Sequence, residues 1–144
     1  MNNLVRFFAS GFFSGMFPVF PGTVGSLVAL LIAWFLKPSM LLIFLCSLLG
    51  VYICTKGESV FGEHDCSHIV YDEFCGIFIA TWNLDSSPQY IVAFILFRLF
   101  DIWKPSLINK VQELPLGWGV MADDLLAGLV SRIIVAVLIY IGII

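Results

Sequence analysis

The chain has 144 residues, 60% of them hydrophobic and 12% charged, with a formal net charge of −3. Soluble domains average roughly 45–50% apolar and 25% charged residues, so a water-soluble globule of this length would lack the polar surface to cover itself. The small negative charge is not the basic footprint of a nucleic-acid binder, the length allows a single domain over residues 1–144, and the composition points to an integral membrane protein.

Residues 1–20 carry Arg6 ahead of an apolar stretch that Gly11, Ser14, Gly15 and Pro18 interrupt. No small-residue cleavage site follows a clean apolar core, as a secretory signal would require. The segment is expected to remain on the protein as a short helix in or near the membrane interface. Pro21-Gly22-Thr23-Val24-Gly25-Ser26 then opens the apolar run 24–36. Free N–H groups at a helix N-terminus make an anion site, and glycine lets a phosphate come close. Thr23, Gly25 and Ser26 are therefore candidates for phosphate binding. An ordinary cap by Thr23 or Ser26 is the plainer reading.

Lys37-Pro38 separates this run from 40–54, which predicts a tight helical hairpin. Residues 56–68 are polar and acidic and contain His64-Asp65. His64 and His68 would share a face if helical, but no nearby cysteine set supports zinc. The next apolar run, 69–82, encloses Asp72 and Glu73. An ionisable group at membrane depth costs roughly 2.5–3.5 kcal/mol on insertion scales and marks function by default. Hard oxygen ligands of this kind favour Mg²⁺ or Mn²⁺. Structural ion pairing with Arg98 or Lys104 is the competing explanation.

After the turn-rich connector 83–89, the run 90–103 ends in Arg98-Leu99-Phe100-Asp101-Ile102-Trp103-Lys104. Positions 98, 101 and 104 are spaced by three, so they fall along one helix face. The functional reading puts Asp101 on a metal and the two cations on phosphate oxygens. The simpler one is an intrahelical ion-pair ladder with Lys104 snorkelling to the headgroups. The loop 105–119 leads through Gly117-Trp118-Gly119 to Asp123-Asp124 and the apolar tail 125–144. Acids in a first helical turn suit the macrodipole, but two adjacent ones exceed what a cap needs.

These five runs predict an all-α, polytopic membrane helical bundle of about four to five membrane helices plus the N-terminal interfacial segment. Four runs are shorter than the roughly 17–25 residues that span a bilayer. They reach that length only by including the flanking motifs, at headgroup level. With a cytoplasmic N-terminus, Arg6, Lys56, Lys104 and Lys110 lie inside and Lys37 outside, as the positive-inside rule asks. The same assignment brings Thr23, Asp72-Glu73, Arg98 to Lys104, and Asp123-Asp124 to one face. The four cysteines, Cys46, Cys54, Cys66 and Cys75, form no CxxC pair and suggest neither a disulfide framework nor a zinc site. A cysteine-phosphatase loop, a Gly-x-Ser-x-Gly elbow and a Walker loop are all missing.

Taken in order, Pro21-Gly22-Thr23-x-Gly25-Ser26-Leu27, His64-Asp65, Ile69-Val70-x-Asp72-Glu73-x-x-Gly76, Phe97-Arg98-x-x-Asp101-x-x-Lys104-Pro105 and Gly117-x-Gly119-x-Met121-x-Asp123-Asp124-x-x-Ala127-Gly128 resemble the phosphatidylglycerophosphatase A family. Two loop positions depart from its usual pattern: Leu107, where a proline is common, and Leu116, where a further glycine is common. The resemblance implies an all-helical, Mg²⁺-dependent enzyme of the bacterial inner (cytoplasmic) membrane, multi-pass, with its active site facing the cytoplasm. It implies release of the terminal phosphate of phosphatidylglycerophosphate to give phosphatidylglycerol.

The combined expectation is a metal-assisted phosphomonoesterase acting on a phospholipid. Asp72, Glu73, Asp101, Asp123 and Asp124 are the candidate catalytic and Mg²⁺-binding residues. Thr23, Gly25, Ser26, Arg98 and Lys104 are the candidate phosphate-binding residues, with His64 and Asp65 as possible support. The nucleophile is either a water activated by a carboxylate or a carboxylate itself. The alternatives are a cation-transporting subunit or a structural membrane subunit with an ion-paired acidic core. The first needs acids at several depths; the second needs stability indifferent to metal and phospholipid.

Overall fold

The computed structural model describes residues 2–63 and 66–144. Among them the chain forms seven α-helices and no strand: α1 Asn2–Ala9, α2 Pro21–Leu36, α3 Met40–Phe61, α4 Tyr71–Ala80, α5 Ser87–Trp103, α6 Ser106–Gln112 and α7 Gly117–Tyr140. A short 3₁₀ turn, Ser14–Met16, lies between α1 and α2.

Local chemistry sets the helix limits. Pro21 opens α2, where its missing N–H costs nothing, and the helix ends at Leu36, two residues before Pro38. The Ser39 hydroxyl caps α3 by accepting from the Leu42 N–H at 3.3 Å, and Gly62, at φ +79°, ends it in the left-handed region. A capping box of Ser86 and Gln89 starts α5. It ends at Lys104, which leads into Pro105.

The centre of the bundle is α4. At about 1.5 Å per residue its 10 residues cover half of the roughly 30 Å hydrocarbon core of a bilayer. Residues Asp72 to Phe78 and Ala80 are all buried, because α2, α3, α5 and α7 pack around it. The helix within the apolar run 69–82 is therefore covered by its neighbours and shorter than the hydrocarbon core of a bilayer. An all-round apolar sequence suits either environment. Among the described residues, α3 is the one helix long and apolar enough to cross a membrane. Large apolar side chains nevertheless face outward from four helices, among them Phe35 of α2, Phe44 of α3, Ile95 of α5 and Ile133 of α7.

The hairpin expected around Lys37-Pro38 is open. Helix α2 packs on α4 and α5, and α3 packs on α1, α4 and α7, with α4 lying between them. The N-terminal segment is clamped to the stretch before α4. The Val70 N–H donates to the Ala9 carbonyl at 2.8 Å, and His68 Nδ1 lies 2.9 Å from the Gly15 carbonyl oxygen.

At the crossing of α4 and α7 the two backbones touch. A Cβ added to Gly128 would run into the Gly76 carbonyl oxygen, and one added to Gly76 would stand 2.8 Å from the Asp124 carbonyl oxygen. Small residues permit such an approach, and it sets Asp72-Glu73 beside Asp123-Asp124. Helix α7 begins at Gly117, whose N–H donates to Thr55 Oγ1 at 2.9 Å. Asp123 and Asp124 therefore lie in the second turn, beyond the reach of a cap. Just before α7, Leu116 adopts φ +59°, ψ −157°, a region open essentially to glycine alone and costing other residues about 1–3 kcal/mol.

Two substitutions should move stability in opposite directions. Gly128→Ala forces a methyl against backbone that cannot yield, and should destabilise by about 1–3 kcal/mol. Leu116→Gly relieves strain at a half-exposed side chain, and should raise the melting temperature in detergent. A lower melting temperature for Leu116→Gly would show that the leucine side chain is worth more than its backbone costs.

Candidate active site

One cavity of about 390 Å³ is lined by five carboxylates and two cations. Gly22 and Thr23 of α2 line it, with Cys66, Ser67 and Ile69 ahead of α4, and Asp72 and Glu73 within α4. The end of α5 contributes Arg98, Asp101 and Lys104, and α7 contributes Asp123 and Asp124. Asp72, Glu73, Asp123 and Asp124 are buried. All five candidate carboxylates and both candidate cations thus share one site.

Arg98 is its hub. Its guanidinium pairs with Asp101 one turn along α5 and lies 3.4 Å from Glu73. It also donates to Ser26 Oγ at 3.4 Å and, at the limit of a hydrogen bond, to Thr23 Oγ1 at 3.5 Å. Lys104 does not continue the ladder. Its backbone turns left-handed at φ +45°, ending α5, and its ammonium donates to Asp123 Oδ2 on α7 at 2.8 Å. The 98-101-104 stripe is thus half intrahelical pair and half bridge between helices.

Two residues of the first motif have packing roles. Gly25 lies against α4, where an added Cβ would stand 2.8 Å from Val70 Cβ. Ser26 is buried and donates to Glu73 Oε2 at 2.6 Å. Neither lines the cavity. The glycine that does is Gly22, where a Cβ would meet Glu73 Oε1 at 2.5 Å. Its place in the first turn of α2 was the available signal. Helix α2 starts at Pro21 after Phe20, so neither Thr23 nor Ser26 is its cap. His64 and Asp65 lie outside the described residues.

The charges do not balance. Five carboxylates face two cations in one cavity. Among the described residues, three buried polar atoms lack a hydrogen-bond partner: Asp72 Oδ1, Asp124 Oδ2 and Arg98 Nε. Buried polar atoms are nearly always paired. Two orphan acceptors and one orphan donor are what a cation and an anion would complete. No group of three His, Cys, Asp or Glu side chains among the described residues forms a ready coordination shell. Mg²⁺ does not need one, because it keeps several waters and is commonly held by one or two carboxylates plus substrate phosphates. The donor set fits that ion.

Comparison with known proteins gives a consistent picture. A family model described as "Phosphatidylglycerophosphatase A" matches residues 7–139. A protein of that name from Haemophilus influenzae is 43% identical, covering 92% of this chain and 87% of its own length. One from Escherichia coli K12 is 36% identical, covering 91% and 81%. A "Putative phosphatidylinositol-3-phosphatase" from Bacteroides thetaiotaomicron is 39% identical, covering 89% of each chain. No solved structure matches.

The geometry makes Ser26 the partner that fixes Glu73. A double-mutant cycle of Ser26→Ala and Glu73→Ala, read by thermal unfolding in detergent, should give a coupling of about 0.5–1.5 kcal/mol, as for an ordinary buried hydrogen bond. A coupling near zero would separate the two residues.

Proposed function

The chain belongs to the phosphatidylglycerophosphatase A family, and from that premise we propose that it hydrolyses phosphatidylglycerophosphate to phosphatidylglycerol and inorganic phosphate with Mg²⁺ as cofactor. The observation that carries the proposal is the single cavity in which five carboxylates, two cations and three orphan polar atoms meet. A phosphomonoester is a dianion, and this cavity would repel it unless a cation were bound first.

Asp72 and Asp124, with their orphan oxygens, are the residues that would hold Mg²⁺. Bound there, the ion supplies Lewis-acid polarisation of a phosphoryl oxygen. Arg98 and Lys104 bind the non-bridging oxygens as charge-assisted donors. The backbone N–H groups of Gly22 and Thr23, in the first turn of α2, add neutral donors from a helix N-terminus. Glu73 and Asp101 bracket Arg98 and are the carboxylates placed to take a proton from water. In the hydrolytic route, water adds to phosphorus and the ester P–O bond breaks. The proton taken from water ends on the departing glycerol oxygen.

The proposal extends to a multi-pass protein of the bacterial cytoplasmic membrane, with this end of the bundle at the cytoplasmic surface. The outward apolar side chains of α2, α3, α5 and α7 support membrane burial of those helices, while α4 stays enclosed. A cation path is the weaker reading, since the acids gather at one end of the bundle and not along it. A relative named for a different phospholipid headgroup makes phosphatidylinositol 3-phosphate the substrate to test alongside.

Two measurements check the proposal. Phosphate release from phosphatidylglycerophosphate by the purified protein should vanish on chelation and return with Mg²⁺; full activity after exhaustive chelation would exclude a metal role. Replacement of Asp72, Asp101, Asp123 or Asp124 by Asn keeps size while removing charge. Each variant should lose at least about 10²-fold in kcat, and Asp72→Asn and Asp124→Asn should also weaken Mg²⁺ binding measured by calorimetry. Near-normal rates in three of the four would displace the site.

A further inference from the structure

The same cavity has an apolar edge that hydrolysis does not use. Phe20, just before α2, and Ile102, in the last turn of α5, line it together with the acids. The acids are sunk, with Asp124 only 2% exposed, whereas Phe20 is 76% and Ile102 70% exposed. Their neighbours continue the pattern: Phe17 and Val19 lead up to Phe20, and Leu99 and Trp103 flank Ile102, all exposed. Leu99 and Ile102 stand at i and i+3, so they share one face of α5. This highly charged hollow therefore opens beside apolar surface supplied by two separate elements.

A site for a small water-soluble phosphate ester gains nothing from such an edge, and exposed apolar patches mark contact with a partner or a membrane. A phospholipid phosphomonoester needs both chemistries at once, because its dianionic head and its acyl chains are joined through one glycerol unit. Phe20 also holds φ +50°, an outlier for a bulky residue. Asn would tolerate that angle better and would cap α2 better, so neither backbone nor helix requires phenylalanine there.

Resting on the phosphatase reading above, we propose that Phe20 and Ile102 form an apolar lip over which the acyl chains of the lipid substrate lie while its phosphate occupies the cavity. The substrate then reaches the site laterally from the bilayer, and the two side chains set the preference for lipid over soluble phosphate esters. The source of the chains is the substrate molecule itself, since the lip and the acids line one continuous cavity.

The test compares wild type with Phe20→Asn, Ile102→Gln and the double variant. The first substitution suits the left-handed cap position and the second is a good helix former at an exposed site, so the fold should hold. Detergent melting curves check that it does. kcat/KM is measured for phosphatidylglycerophosphate in mixed micelles and for glycerol 3-phosphate in the same micelles, at equal Mg²⁺. Each single variant should lower the ratio of lipid to soluble efficiency about tenfold, and the double variant more, as expected for one lost apolar contact per side chain. An unchanged ratio, with equal loss on both esters or none on either, overturns the lip. Should wild type hydrolyse neither ester, the phosphatase reading fails. The lip is then judged by equilibrium binding of phosphatidylglycerophosphate micelles, which the double variant must weaken at least about tenfold; unchanged binding rejects it.

Discussion

Backbone contact between α4 and α7 governs the whole site. Carboxylates repel one another, so the acids of α4 and α7 need something besides each other to hold them side by side. Gly76 and Gly128 do so from one turn away, by letting the two helices meet without intervening side chains. Asp72 and Glu73 are then carried on one rigid element and Asp123 and Asp124 on another. A side chain at either glycine would spread the helices and separate the acids. The repulsion stored in the cluster is thus balanced by packing elsewhere, in the buried apolar core of Ile77, Phe97 and Ala127.

Arg98 and Lys104 divide the compensation between them. Arg98 ties α5 to α2 and α4 through Ser26 and Glu73, and Lys104 ties the end of α5 to α7 through Asp123. These pairs are partly shielded from water, and breaking one would leave a buried charge exposed to its neighbours. They also leave Asp72 and Asp124 with uncompensated oxygens. With the two cations turned to Glu73, Asp101 and Asp123, these two oxygens are where the proposed Mg²⁺ would bind.

The N-terminal segment bears on the same cavity. Its hydrogen bonds to His68 and Val70 fix the stretch from which Ile69 and Cys66 line the site. Its exposed phenylalanines continue to Phe20 at the cavity edge. The same short stretch of chain therefore braces one wall of the cavity and supplies part of its exposed edge.

The all-helical class was legible in the sequence, and so was the set of acids and cations that meet in one cavity, because ionisable groups inside apolar runs need a reason to be there. The ordered motifs pointed to the family for the same cause. Periodicity could not tell a covered helix from a lipid-facing one, since both are apolar all round; the enclosure of α4 was settled only by the helices that pack on it. Spacing placed Arg98, Asp101 and Lys104 on one face, but the left-handed turn at Lys104 redirected its ammonium to α7. Gly25 and Ser26 read as phosphate candidates because a glycine-rich helix start binds anions; that Gly25 lies against Val70 and Ser26 on Glu73 could be seen only in the packed helices. Phe20 and Ile102 carried no signal at all, for an apolar residue in an apolar chain acquires meaning only from the cavity beside it. The sequence determined which chemical groups the protein owns. Tertiary packing decided which of them face one another, because that depends on contacts between residues far apart in the chain.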